Sequence, residues 1–276
     1  MALRINTNIW ALNAHRQLSE TDNRLRVSME RLSSGYRINH AKDDVAGLSI
    51  ANKFRMEVRA LRAAQQNASQ AQATLQVAEG GTNKIESIVE RLKELAISAS
   101  SDNTDSDGRV RLDAEADSLL AEIDQIANDT KYSGNALLNA AIAMTFQVGS
   151  GNVDAEDRIV VSTSGGLLSS NLGINNIDLT TASGAQTALG AIDNALTSVN
   201  VVTGEIGAAQ IRLEFSASNL AIAIENLDAS HSTIRDVDMA FEMTNLTKNQ
   251  ILLQAGTAML AQANMVPQAV LALLGT

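Results

Sequence analysis

The sequence predicts a mainly α-helical, elongated protein: an antiparallel coiled coil or helical bundle with a small β-hairpin region. Three observations predict it. Leu189, Ile192, Leu196, Val199, Thr203, Ile206, Gln210, Leu213, Ala217, Leu220, Ile224 and Leu227 form one stripe, spaced alternately three and four residues apart. That spacing keeps one narrow face toward a partner helix over several heptads. At 1.5 Å per residue such a helix runs about 58 Å, longer than a compact domain is wide. Aromatic residues make up only 3% of the 276, so Ala, Leu, Ile and Val must build the core, which suits narrow helix–helix seams. Proline occurs once, so helices run without interruption.

The elements follow in order. The first helix starts after Asn6 or Asn8, either of which caps it. Leu18, Leu25, Met29 and Leu32 sit at heptad spacing, and Gly35 supplies a C-terminal turn. Residues 37–44 read as irregular. A second helix runs from about Asp44 to Ala78, with Phe54, Val58, Leu61, Ala68 and Leu75 on one side and Ala60, Ala64, Ala71 and Ala78 on an adjacent strip. Gly80-Gly81 should end it, and Thr82 should cap a third helix with Ile85, Ile88, Leu92, Leu95 and Ala99 as its seam. After a polar loop at 100–108, Leu112, Ala116, Leu119, Ile123 and Ile126 mark the next helix, which Thr130 to Asn135 breaks. Met144–Val148 and Arg158–Thr163 then read as a β-hairpin. Residues 165–184, rich in Gly, Ser, Thr and Asn, read as surface loop. The long 189–227 helix follows. The last helix, from about Asp238, carries one stripe of Leu252, Gly256, Met259, Ala263, Val266, Val270 and Leu273, and another of Met239, Met243, Leu246, Leu253 and Leu260. A helix apolar on more than one face wants neighbours on more than one side, which points to other copies of the chain.

Charge narrows the partners. Residues 1–62 hold 11 basic and 6 acidic residues, net +5; the remainder holds 10 and 25, net −15. The basic residues are interleaved with Glu20, Asp22, Glu30, Asp43 and Asp44, without a basic run or stacking aromatics, so nucleic acid is not an expected partner. A basic end and an acidic body can attract one another between copies. The absence of cysteine rules out disulfides and thiolate metal sites. The N-terminus shows no pattern of a cleaved signal peptide. Residues 251–274 contain Gln254, Gln262, Asn264, Pro267 and Gln268, which are costly in hydrocarbon, so membrane insertion is not expected.

No motif carries catalysis. Asn103, Asp105, Asp107 and Gly108 imitate the start of a calcium loop but lack its closing glutamate, since position twelve is Ala114. His15, His40 and His231 show no ligand spacing. Asp43-Asp44 and Asp236/Asp238 read as helix-start carboxylates rather than an acid–base pair. The expectation is no enzyme, no cofactor and no metal.

Two longer stretches are more specific. Residues 30–50, Glu-Arg-Leu-Ser-Ser-Gly-Tyr-Arg-Ile-Asn-His-Ala-Lys-Asp-Asp-Val-Ala-Gly-Leu-Ser-Ile, resemble the N-terminal signature of bacterial flagellin. Residues 250–264, Gln-Ile-Leu-Leu-Gln-Ala-Gly-Thr-Ala-Met-Leu-Ala-Gln-Ala-Asn, followed by Pro267 to Leu274, resemble its C-terminal signature. Trp10, Val45 and Met265 depart from the small or polar residues usual there. Only about forty-five residues separate the two helical halves, so the chain is similar to a minimal flagellin without large variable outer domains.

The resemblance implies a function and a layout. Residues 1–43 with 235–276 should form the inner filament-core coiled coil, and 44–234 the outer-core bundle, including the 140–184 hairpin and loops. The protein should be a structural subunit of the flagellar filament, exported unfolded by the flagellar type III apparatus and folding its terminal helices as it polymerises outside the cell. Leu18, Leu25, Met29, Arg31, Leu32, Leu252, Met259, Val266, Val270 and Leu273 are the expected assembly residues, and removal of residues 266–276 should abolish polymerisation. Expected partners are further copies of the chain, a flagellar export chaperone, and the filament cap and hook-junction proteins. An innate immune receptor, Toll-like receptor 5, reads the family's outer helices. The matching positions are Arg91, Leu95 and Glu115, with Glu90 replacing a common glutamine. Alternatives are a hook–filament junction protein and a cytosolic coiled-coil adaptor.

Overall fold

The computed structural model describes residues 7–274, excluding the side chains of residues 155 and 266–274. Its helices are α1 (Ile9–Ser34), α2 (Val45–Ser100), α3 (Ser106–Asp129), the single turn α4 (Asp154–Asp157), α5 (Ala182–Arg235) and α6 (Met239–Leu274). The strands are β1 (Lys131–Tyr132), β2 (Asn135–Ala136), β3 (Ala143–Gln147) and β4 (Arg158–Ser162), paired antiparallel as β1–β2 and β3–β4. The chain divides into two compact units, residues 1–56 with 227–276, and residues 57–226.

The 57–226 unit holds the larger core. Here the expected helix break at Gly80-Gly81 needs correcting: α2 continues through both glycines. Its buried seam runs Ala71, Leu75, Ala78, Thr82, Ile85, Val89, Leu92, Ala96 and Ala99, alternately four and three apart and in phase across the pair. Burial along this seam outweighs the roughly 1 kcal/mol that each interior glycine costs a helix. Thr82 is not a cap. It is fully buried, and its hydroxyl donates to the Ala78 carbonyl at 2.9 Å, which satisfies it inside the seam. Gly81 has a packing role, because a Cβ there would lie 2.7 Å from both Leu138 Cδ1 and Thr130 Oγ1. Thr130 and Leu138, which flank the β1–β2 hairpin, therefore press directly on the α2 backbone.

Helix α3 returns antiparallel to α2. Asp105 caps it by accepting from the Gly108 N–H at 2.8 Å, so the calcium-like segment serves as a helix start. Ala116, Leu120, Ile123 and Ala127 are buried, with Leu112, Leu119 and Ile126 at the flank.

Helix α5 also runs antiparallel to α2, as the Glu79–Gln210 hydrogen bond (2.9 Å) and the Lys93–Asp193 ion pair (2.6 Å) show. Its centre line was legible: Ile192, Val199, Ile206, Leu213 and Leu220 are buried. The rest of the face is rotated from the expected stripe. Ala188, Ala195, Val202 and Ala209 complete the buried face, while Leu189, Leu196, Thr203 and Gln210 lie at its edge. Small residues at the centre let the backbones approach, and the larger ones close over the side.

The hairpin forms as expected, with Phe146 opposite Ile159 and Met144 opposite Val161. Residues 165–181 are irregular, with 182–184 already in α5, but the stretch is more than surface loop. Leu167, Leu172, Ile174 and Leu179 are buried in the core. Asp124 holds this stretch by accepting from the Ser169 N–H and hydroxyl, both at 2.8 Å, and Asp113 accepts from the Leu179 N–H at 2.9 Å.

In the other unit, α1 and α6 pair antiparallel. Gly256 permits the close approach, since a Cβ there would sit 3.0 Å from Leu18 Cδ1. The Asn8 side chain caps α1 by accepting from the Ala11 N–H at 3.1 Å and donates to the Ala263 carbonyl of α6 at 2.8 Å.

Candidate assembly surface

The α1–α6 pair fully buries only polar side chains, keeps its leucine seam half-buried, and leaves many large apolar side chains exposed among polar ones. The buried residues of α1 are Thr21 and Ser28. Opposite, α6 buries Glu242 and Asn249. Leu18, Leu25 and Leu32 are half-buried between these polar positions, as are Leu253 and Leu260 on α6. Outside stand Ile9, Trp10, Leu12, Val27 and Met29 of α1, and Met239, Phe241, Met243, Ile251, Leu252, Met259 and Met265 of α6, all exposed. Positions 21, 25, 28 and 32 face α6, whereas Met29, at heptad spacing with Leu18, Leu25 and Leu32, falls one position to the side and stays exposed.

The inner seam is also imperfectly satisfied. Arg31 Nη1 lies 3.8 Å from the buried Glu242 carboxylate, a long ion pair, and Arg31 Nε meets no hydrogen-bond partner. Burying polar groups without full compensation costs free energy. A groove of about 400 Å³ opens beside this pair, lined by Asn23, Arg24, Ser28, Arg31, Lys248 and Asn249 among others.

Helix α6 carries its exposed apolar residues on several sides. Phe241, Leu252 and Met259, eleven and seven residues apart, share one flank; Met239 and Met243, four apart, share the other. Soluble monomers rarely leave contiguous apolar surface of this kind uncovered, and such surface marks an interaction site. Of the ten expected assembly residues, Met29, Leu252 and Met259 are thus exposed, Leu18, Leu25, Arg31 and Leu32 bridge toward α6, and the side chains of Val266, Val270 and Leu273 lie outside those described.

The 35–47 joint is built from local hydrogen bonds that no apolar periodicity signals. Gly35 ends α1 in the left-handed conformation (φ 74°), and its N–H donates to the Arg31 carbonyl at 2.9 Å. Tyr36 bridges Asp236: the Arg37 N–H donates to the Arg235 carbonyl (2.7 Å) and the Val237 N–H to the Gly35 carbonyl (3.0 Å). The Arg235 guanidinium stacks over the Tyr36 ring at 4.2 Å. The Asp43 carboxylate accepts from the His40 N–H (2.9 Å) and the Asn39 N–H (3.2 Å), and the first of these chiefly holds its pKa below the ordinary aspartate value. His40 Nε2 reaches the Glu30 carboxylate at 2.7 Å, tying the loop back to α1. Asp44 caps α2 by accepting from the Gly47 N–H at 2.8 Å; a side chain at Gly47 would collide with Asp44 and Ile38.

On the 57–226 unit, Arg91 and Glu115 are brought together. Arg91 donates to Glu115 (2.9 Å) and Glu94 (2.8 Å), which raises its pKa above the usual value, the Glu94 bond contributing most. Leu95 requires correction. It is 3% exposed within the core, because its position on α2 turns it toward α3 and α5, so it offers a receptor no surface. No described helix is long and apolar enough to cross a membrane.

Comparison with known proteins places this geometry. Residues 5–143 match the family model for the bacterial flagellin N-terminal helical region, and residues 189–274 match that for the C-terminal helical region. A flagellin of Halalkalibacterium halodurans is 40% identical over 98% of this chain and 99% of its own length. A flagellar filament 33 kDa core protein of Treponema phagedenis is 37% identical over 98% of this chain and 99% of its own. A Vibrio parahaemolyticus structure assigned as a flagellar hook-associated protein aligns with a TM-score of 0.57 at 14% identity, covering 70% of this chain and all of that one, a likeness of fold alone.

Proposed function

The chain belongs to the bacterial flagellin family, and from that premise we propose how it works as a structural subunit of the flagellar filament: it assembles through the exposed apolar flanks of α1 and α6. The observation that carries this is the set of large apolar side chains that the pair leaves exposed, Ile9, Trp10, Leu12, Phe241, Leu252 and Met259 among them. Within one chain the leucine seam between the two helices is only half-buried. Ordering them costs about 1–2 kcal/mol of backbone entropy per residue. Neighbouring subunits that cover Trp10, Phe241, Leu252 and Met259 supply the missing burial, so α1 and α6 gain their stability on assembly. Residues 1–43 with 235–276 then act as the inner filament domain, and 44–234 as the outer. The 57–226 unit, with its continuous core, is the part stable before assembly.

The work is mechanical and extracellular, and we assign the chain no reaction, no cofactor and no nucleic-acid partner. Its relatives over nearly full length include a filament core protein, which favours the filament over a hook-junction or cytosolic role. Delivery as an unfolded chain, with an export chaperone, a filament cap and hook-junction proteins as successive partners, fits helices that fold last. A chain ending at residue 265 tests the reading. It should keep the cooperative unfolding of the 57–226 unit and form no filaments by electron microscopy; intact filaments would refute it.

Recognition by Toll-like receptor 5 through Arg91 and Glu115 is a second proposal. Both side chains are exposed and already paired across α2 and α3, forming a preorganised charged surface. Arg91→Ala and Glu115→Ala should each weaken receptor activation by the unassembled protein; unchanged activation would refute the assignment.

A further inference from the structure

The chain has eight methionines and no cysteine, so methionine is its only sulfur. The methionines are unevenly placed. Met29, Met56, Met239, Met243, Met259 and Met265 are each about half exposed or more, and all six belong to the unit formed by residues 1–56 and 227–276. In the 57–226 unit the one methionine, Met144, packs partly buried against the core. Exposed thioethers are the groups that two-electron oxidants reach first, and five of the six lie on α1 and α6, the helices that the filament reading assigns to subunit contacts.

We propose that Met29, Met239, Met243 and Met259 form an oxidative modification site that controls polymerisation, an inference that rests on the filament reading above. The reaction needs an oxidant of the peroxide class. The thioether sulfur attacks one peroxide oxygen, an S–O bond forms as the O–O bond breaks, the sulfur is oxidised by two electrons, and the second oxygen leaves as water. The product sulfoxide is neutral but strongly polar. It converts apolar contact surface into groups that need hydrogen-bond partners, on a face whose value to a neighbouring subunit lies in being dry. The unassembled chain is therefore sensitive. The assembled filament, with these flanks covered, is protected. A dithiol-dependent sulfoxide reductase returns the thioether, the oxygen leaving as water while two external thiols become a disulfide, so the modification is a reversible block on assembly rather than terminal damage.

The experiment uses the full chain and hydrogen peroxide, with sulfoxides mapped by peptide mass spectrometry and assembly measured by sedimentation across protein concentrations. Oxidation before assembly should raise the critical concentration by about ten-fold or more, and treatment with both epimer-specific sulfoxide reductases should restore it. Oxidation after assembly should modify these four methionines several-fold more slowly than in the free chain. The variant M29L/M239L/M243L/M259L keeps apolar volume, and whatever its own critical concentration, peroxide should not raise it further. The inference is overturned if oxidised wild-type chain assembles at the original concentration, if the four sites oxidise as fast in filaments as in the free chain, or if the leucine variant assembles and remains as peroxide-sensitive as wild type. Should that variant fail to assemble untreated, the protection measurement on wild type decides. Failure of untreated wild-type chain to form filaments would instead overturn the filament reading.

Discussion

Replacing Phe241 by alanine separates assembly from folding. Phe241 stands on an outer flank of α6 with 66% of its surface in water. Complete burial of a phenylalanine side chain is worth about 1.5–3 kcal/mol. About two thirds of that, ~1–2 kcal/mol, is still available for a neighbouring subunit to collect. Alanine is a better helix former than phenylalanine, so α6 itself loses nothing. Since 1.4 kcal/mol is a factor of ten in an equilibrium constant, the critical concentration should rise roughly 5–30-fold. The assay is sedimentation at graded concentrations, with thermal unfolding of the unassembled chain measured in parallel. Unfolding should not move. Ile206→Ala, at a fully buried position of α5, should do the reverse and destabilise the unassembled chain by about 2–5 kcal/mol. An unchanged critical concentration for Phe241→Ala, or an equal loss of stability in its unassembled chain, would refute the claim that this flank is held in reserve for other copies.

Further outcomes follow from particular contacts. Gly80 has open space where a Cβ would be, so Gly80→Ala should stabilise by about 0.5–1 kcal/mol, whereas Gly81→Ala meets Leu138 and Thr130 and should destabilise by about 1–3 kcal/mol; paired thermal melts compare them. Thr82→Val should be nearly neutral in the same melts, because the hydroxyl serves only the Ala78 carbonyl; a loss above about 2 kcal/mol would show a further role. The Asp43 carboxyl should titrate below the ordinary aspartate value of 3.8. Its folded pKa is depressed, so its contribution to stability is fully present above the unfolded value and is lost as pH falls through the folded one. An NMR titration of Asp43 checks this, and an ordinary midpoint would show that the His40 and Asn39 N–H bonds do not form.

Much of the helical architecture was legible because apolar periodicity is written directly in the chain. The spacing of Ile192, Val199, Ile206 and Leu213 places them in a seam, and they are buried. The hairpin was legible from β-branched alternation around a glycine turn. The candidate site was less so. Met29 shares the heptad spacing of Leu25 and Leu32 yet stands exposed, while Thr21 and Ser28, polar residues that read as surface, are buried. Leu95 was placed on a recognition surface by resemblance, yet it turns inward.

The sequence by itself determined that this is a cysteine-free, proline-poor helical protein whose terminal helices are greasier than one partner can satisfy. Periodicity and composition are local properties, so a single chain suffices to read them. Only the tertiary structure decided that Gly80-Gly81 stays helical, that Ala188, Ala195, Val202 and Ala209 are buried while Leu189, Leu196, Thr203 and Gln210 lie at the edge, and that Thr21, Ser28, Glu242 and Asn249 are buried between α1 and α6. Those choices depend on which faces meet, and a face is defined only when another element stands opposite it.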